Sequence, residues 1–288
     1  MMRIFEYQTE FFPEDPVPTE WSACRVLKQT PLENPVNYLA APWAVLMNKG
    51  KLESASKMRI GGGFTVCQHS RYYELIPLLK TIGVDTLFCP HVSEKGTDGI
   101  RLFPFPHYAV NGTAPGKIKD LFYAFVGIDS TTPGGSELRR KIFLMSHPPG
   151  TVVIERKRWH WLRENGWGDF PEEEQIRERR EYRDLLSRSE FSLCPRGFGA
   201  GTVRFWESLA AGAVPVLLSD FLKLPEGVDW EQCIVRIPEE EVSRVPEILS
   251  GISKPRRAEM SRNCRGIYAR FSGENFVSAI RAVYRETF

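Results

Sequence analysis

From residue 64 onward the chain alternates short, largely apolar runs with longer segments whose apolar residues recur every three or four positions. Short apolar runs bounded by turn residues read as strands buried on both faces, and the longer period reads as helices with one apolar side. The pattern predicts strands over 64–67, 86–89, 122–126, 151–154, 191–194, 214–218 and 233–237. It predicts helices over 72–82, 136–145, 172–188, 202–211, 239–249, 255–268 and 272–288, the first of them closed by Gly83. Such alternation belongs to parallel α/β sheets. Residues 1 to about 60 lack it. Patches such as Pro13-Glu14-Asp15-Pro16 and Asn34-Pro35 read there as loops, with one helix around 42–50.

A glycine- and turn-rich break over 111–116 separates two series of elements. At 288 residues the chain is long enough for two domains. The expected organisation is α/β throughout, with domains 1–115 and 116–288 flanking a cleft and the last helix free to pack back on the first domain. No internal repeat or low-complexity stretch interrupts it.

Composition narrows the function classes. The formal net charge is only +2, which argues against nucleic acid as the main partner. Basic clusters at Arg156-Lys157-Arg158 and over 254–265 read as solvated helix faces. No window approaches a membrane span, and Met1 to Tyr7 lacks the apolar centre of a signal peptide. The six cysteines show no C-x-x-C pair or metal-ligand spacing, so a reducing cytoplasm is the expected location. Without secretion, the Asn111-Gly112-Thr113 sequon carries no weight.

The chemistry concentrates between Phe191 and Asp220, which read as buried strand, glycine-rich turn, amphipathic helix and buried strand. That layout holds nucleotide phosphates in α/β enzymes, because glycines admit a close anion and helix-start N–H groups point at it. On the helix over 202–211, Arg204 and Glu207 are three apart and share a face. They read either as an ordinary surface ion pair or as ligand groups, Arg204 for a diphosphate and Glu207 for a ribose diol. Preceded by Pro195-Arg196-Gly197 and Gly199-x-Gly201-Thr202, the ligand reading is preferred.

These residues fit the pattern F-x-L-x-P-x-G, then S/T-x-R-x-x-E, then G-x-x-P-V, at Phe191, Leu193, Pro195, Gly197, Thr202, Arg204, Glu207, Gly212, Pro215 and Val216. The sequence thereby resembles the exostosin-like glycosyltransferases, and in particular their compact, soluble bacterial and viral members. The likeness extends to Tyr182-x-x-x-Leu186, Ser189, Leu224-Pro225, Asp229-Trp230 and Ile248-Leu249, with a weaker echo at 122–127 and Leu138-Arg139. The resemblance implies a GT-B architecture, two Rossmann-like domains with the acceptor on the first and a nucleotide-sugar donor, commonly UDP-linked, on the second. No cofactor beyond that co-substrate is expected. No Asp-x-Asp occurs, so Arg139, Arg196, Arg204 and helix N–H groups, with Gly197 and Thr202, are expected to hold the diphosphate without a metal.

Inverting transfer to a saccharide acceptor also needs a general base near the operating pH. His69 and His91 follow predicted strands, where functional groups of open α/β sheets gather, and each reads also as a locally bonded loop histidine. Glu74 and Asp98 are reserves. His107, within Phe103-Pro104-Phe105-Pro106-His107-Tyr108, reads as part of a packed inter-domain segment rather than a sugar platform. Trp159, Trp161 and Trp167 read as packing. Competing functions are a GDP-sugar fucosyltransferase-like enzyme, a non-catalytic carbohydrate-binding protein, and a dinucleotide oxidoreductase using Asp220. The G-x-G-x-G spacing disfavours the last.

Overall fold

Four-residue apolar stretches such as Thr86–Cys89 have no polar face to give to solvent, so they pair inside a sheet covered on both sides. In the computed structural model, which describes residues 1–13, 18–93, 96–97, 99–112, 118–129, 137–156 and 171–285, they form two separate sheets. The first contains β1 (Arg3–Glu6), β2 (Asn37–Ala40), β3 (Phe64–Val66), β4 (Thr86–Cys89), β5 (Gly96–Thr97) and β6 (Ile100–Pro104). Its order is β1-β2-β3-β4-β6-β5, parallel except where β5 meets β6. One face packs against α2 (Trp43–Asn48) and α3 (Ile76–Ile82) through Leu39, Leu87, Trp43 and Leu79. The other carries Tyr38, Phe64 and Phe88, covered by Cys24 and Leu27 of α1 (Thr19–Gln29).

The second sheet contains β7 (Leu121–Gly127), β8 (Val152–Glu155), β9 (Ser189–Pro195), β10 (Val214–Leu218) and β11 (Val235–Arg236). All its neighbours are parallel, in the order β11-β10-β9-β7-β8. The chain therefore leaves β7 toward one edge and returns to build the other, which makes the β7–β9 junction a topological switch point. Helices α4 (Leu138–Leu144), α5 (Glu172–Arg188), α6 (Val203–Ala211), α7 (Val245–Ser250) and α8 (Lys254–Ala269) accompany this sheet. Its core joins Phe191, Leu193 and Val216 to Phe205 and Leu209 of α6 and Met260 and Cys264 of α8. Gly212 ends α6 at φ 65°, a left-handed conformation that favours glycine.

After α8 the chain returns to the first unit. A 3-10 turn (Gly273–Val277) and α9 (Ser278–Val283) bury Phe276, Val277 and Ile280 on the sheet face that holds Phe64 and Phe88. The result is two Rossmann-like α/β units around a cleft, the GT-B architecture that the resemblance implies.

Several expectations change. Residues 1–60 are not loops with one helix, since they supply β1, α1, β2 and α2. β1 and β2 have only four residues, and the buried side of α1 mixes Thr19, Glu20 and Ser22 with Ala23, Cys24 and Leu27, so neither apolar period stands out. The prolines over 103–106 conceal β6, which ends at Pro104. The segment over 239–249 opens as a 3-10 turn (Glu239–Arg244) before α7, and the last predicted helix likewise opens as the turn at 273–277 and, among the described residues, is helical only over Ser278–Val283. Residues 14–16, Asp98, Thr113, Ser136, Lys157, Arg158, Trp159, Trp161, Trp167 and 286–288 lie outside the described residues. Among the described residues no helix is long and apolar enough to cross a membrane. The six cysteines are all buried and free.

Candidate active site

Parallel strands deliver their carboxyl ends to one edge of a sheet, and here both such edges face the cleft. Gln68, His69 and Ser70 follow β3, and His91 follows β4. Gly127 ends β7 and Ile128 follows it, and Gly197 follows β9. Together they line a cavity of about 400 Å³ that lies at the β7–β9 switch point.

The electrostatic centre of this cavity is a pair of arginines. Arg139, on α4, is 6% exposed, and among the described residues no carboxylate pairs with it. Burial, and secondarily the Arg204 charge, push its pKa down to about 10. Among the described residues its Nε has no hydrogen-bond partner, and neither has Nε of Arg204. Arg204 lies over the Phe125 ring at 4.6 Å and donates to the carbonyls of Leu193 and Val126. Two neighbouring guanidinium groups without a carboxylate partner among the described residues cost desolvation and repel each other, an arrangement that an anion relieves. Gly197 lies alongside, since a Cβ there would be 3.4 Å from Nη2 of Arg139. Thr202 caps α6 by position without a side-chain cap bond, and it lines the same cavity with Val203.

Glu207 does not pair with Arg204. It is 3% exposed, and both of its oxygens are engaged. Oε1 accepts from the backbone N–H of Asn111 at 3.0 Å and from its Nδ2 at 2.9 Å, and Oε2 accepts from the Tyr182 hydroxyl at 2.7 Å. Asn111 and Tyr182 line the cavity beside it.

The glycine-rich loop is shaped by the opposite unit more than by an anion cradle. A Cβ on Gly199 would lie 2.4 Å from Nδ1 of His91 and 2.8 Å from Cβ of Ser70, and one on Gly201 would lie 2.2 Å from the Pro90 carbonyl. The Gly201 N–H donates to Nδ1 of His91, and Lys223 N–H to the Val92 carbonyl at 2.9 Å. In His91 the lone pair of the neutral ring is thus engaged. In His69, Nδ1 accepts from Arg71 N–H at 3.1 Å, which leaves Nε2 to donate to Oδ1 of Asn48 at 3.0 Å. Burial lowers the pKa of both, that of His91 to about 4, so both rings are neutral at pH 7. Their placement repeats: each closes a Cys-x-His step whose histidine N–H meets the preceding thiol at 3.4 Å.

The structure therefore brings His69, His91, Arg139, Gly197, Thr202, Arg204 and Glu207 to one cavity. Arg196 is not among its walls, because its Nε is held by Glu239 at 2.8 Å. Asp220 accepts from the N–H of that same Glu239, and Glu74 pairs with Arg71. His107 is buried within the packed segment and also reaches the cavity, its ring 4.9 Å from that of His91. Sequence reasoning met Asn111 only as part of a sequon without weight in a turn-rich stretch, and passed over the Arg156–Glu178 ion pair on the cavity wall. Tyr182 was visible only through the resemblance.

The profile of the Exostosin GT47 domain matches residues 85–252. Exostosin-1 of Drosophila melanogaster is 31% identical over 176 residues, which is 58% of this chain and 23% of that protein. The Exostosin-1 homolog of Caenorhabditis elegans is 39% identical over 93 residues, 32% of this chain and 24% of its own. The matched stretch thus spans about a quarter of these relatives' length. Among solved structures, the pneumococcal O-GlcNAc transferase GtfA in complex with UDP and GlcNAc aligns over 91% of this chain and 59% of that one, at 10% identity and a TM-score of 0.45.

Proposed function

The chain belongs to the exostosin GT47 domain family, and on that footing we propose that it is a glycosyltransferase moving a sugar from a nucleotide donor, UDP-linked, to a saccharide acceptor. The observation that carries the reading is the Arg139–Arg204 pair, two cations without a carboxylate partner among the described residues, at a sheet switch point beside Gly197. A diphosphate supplies the missing charge, and bidentate guanidinium contacts suit its oxygens. The second unit is the donor side and the first unit the acceptor side.

In the proposed step the acceptor hydroxyl oxygen attacks the anomeric carbon with inversion. The bond from that carbon to the diphosphate oxygen breaks, and the nucleoside diphosphate departs with its charge held by Arg139 and Arg204. The acceptor proton passes to His69, which is neutral and has only a local backbone N–H to release from its lone pair. His91 is less suited, because freeing its Nδ1 breaks the bond between the units. With the arginines supplying the charge, the transfer is proposed to need no metal.

Calorimetric titration with UDP, GDP and a panel of UDP-sugars, each with and without EDTA, tests this. UDP binding indifferent to EDTA, lost in a folded Arg204→Ala variant, is the expected result. Absence of binding by any nucleoside diphosphate would end the proposal. A preference for GDP would change the nucleotide, and activity restored only by Mn²⁺ or Mg²⁺ would end the metal-independent mechanism. The anomeric configuration of the product, read by NMR, decides between inversion and retention.

A further inference from the structure

Two buried polar side chains in the cavity wall have no part in the chemistry above. Asn111 is 2% exposed and His107 is 6% exposed, and both line the cavity from the connection that follows β6. Oδ1 of Asn111 and Nε2 of His107 have no hydrogen-bond partner among the described residues. An unmet buried polar atom is costly, so two of them in one cavity wall point to a group that binds there.

The chemistry of that group follows from Glu207. A carboxylate only accepts, so the Asn111 atom facing it at 2.9 Å is Nδ2, and the amide orientation is fixed. The free branch is then Oδ1, which can only accept. A phosphate or carboxylate brings it nothing, whereas a hydroxyl brings a proton. Burial pushes the His107 pKa well below its ordinary value, so the ring is neutral and its Nε2 either donates or accepts, both of which a hydroxyl can match. Glu207 itself has its oxygens engaged by Asn111 and the Tyr182 hydroxyl, which makes it a positioning residue.

We propose that Asn111, held in place by Glu207 and assisted by His107, forms a subsite that reads sugar hydroxyls of the donor and discriminates against analogues lacking them. The inference rests on the nucleotide-sugar reading. It departs from the expectation that Glu207 itself takes the ribose diol. The hydroxyls belong either to the nucleotide ribose or to the transferred sugar.

The experiment measures, by calorimetry, the affinities of UDP, 2′-deoxy-UDP, 3′-deoxy-UDP and the UDP-sugars for wild type and Asn111→Ala; GDP and its deoxy forms are used if GDP is the nucleotide taken. For a ribose hydroxyl, wild type binds UDP about three- to tenfold more tightly than one deoxy analogue, and the variant loses that ratio. For a hydroxyl of the transferred sugar, the deoxy analogues bind like UDP, and the variant loses the extra affinity of the UDP-sugar. Discrimination kept intact in the variant overturns the proposal while the nucleotide reading survives. A wild-type protein that binds no nucleotide overturns both. If Asn111→Ala does not fold, Asn111→Ser keeps a donor for Glu207 and withdraws the carbonyl. His107→Phe keeps a ring in the packed segment while removing both nitrogens, and either variant carries the same comparison.

Discussion

Across the cleft, the backbone N–H of Gly201 donates to Nδ1 of His91 at 3.1 Å, so the glycine-rich loop of one unit touches a strand-end histidine of the other. The contact accounts for the glycine, because a side chain at 201 would collide with the Pro90 carbonyl. It also determines the tautomer of His91, whose proton must sit on Nε2.

Gly201→Ala is therefore expected to separate the units without breaking either. Gly201 does not have a positive φ, so alanine is tolerated by the backbone and the collision alone acts. Nucleotide affinity should stay within about twofold while sugar transfer falls by about a hundredfold, the size of effect that a ~1 Å misplacement produces. Small-angle scattering and steady-state kinetics measure the two halves of this expectation. An unchanged transfer rate would mean that the contact is dispensable.

Arg139→Met should exchange affinity for stability. Removing a buried cation with no carboxylate beside it among the described residues is expected to raise the ligand-free unfolding free energy by about 1 kcal/mol. The same change should weaken nucleotide binding by roughly 10- to 100-fold, the loss of a charged hydrogen-bonding partner. Denaturant unfolding and calorimetry on one preparation read both. A less stable variant would contradict the account of Arg139 given above.

Acid should destabilise the protein before its surface carboxylates titrate. Burial lowers the pKa values of His69, His91 and His107, so the folded chain holds these rings neutral while the unfolded chain protonates them near 6.5. Their contribution is complete above that value and declines as pH falls, for His91 down to about 4. His91 alone should account for at most about 2 kcal/mol of loss by pH 5. In His91→Gln, which keeps an acceptor for Gly201, the slope of stability between pH 7 and 5 should be shallower. An identical slope would place the proton uptake elsewhere.

The opposite limb belongs to Glu20. This carboxyl, 2% exposed on α1, accepts from Gln68 N–H at 3.0 Å and Ala44 N–H at 3.1 Å, and burial raises its pKa to about 8. Because the folded value lies above the ordinary 4.5, the stabilisation it gives is complete below 4.5 and fades as pH rises toward 8. Glu20→Gln should remove that fading and be more stable than wild type at pH 8, by on the order of 2–4 kcal/mol. Thermal midpoints of both proteins at pH 5 and pH 8 test it. Equal shifts at the two values would show the carboxyl to be uninvolved.

What the sequence revealed follows from where burial is local. Strands such as Val214–Leu218 are buried on both faces, so their apolar run is continuous and their ends are sharp. Helix Glu172–Arg188 was read to the residue despite its charge, because Leu185 and Leu186 sit at its end against a buried strand. Arg204 could be singled out because it stands in a pattern with Gly197 and Thr202, whereas Arg139 was visible only through the weaker echo of the family at Leu138-Arg139. The purpose of Gly199 and Gly201 was not, since the atoms that exclude a Cβ belong to Ser70, Pro90 and His91, more than a hundred residues earlier. The role of Asn111 was missed for the same reason, the residue being tied to a carboxylate 96 positions away. Arg196 stands apart from the cavity wall, and its partner Glu239 lies beyond the motif.

The return of the chain to its first sheet has a consequence for synthesis. Phe276, Val277 and Ile280 help to cover the face bearing Tyr38, Phe64 and Phe88, and the Tyr284 ring lies 5.2 Å from that of Phe64. A ribosome releases the first half of the chain with this face only partly shielded, because the cover follows the whole of the second unit. The unit that emerges first thus waits for a segment made after the second unit, and in the interval its aromatic face is open to chaperones or to other nascent chains.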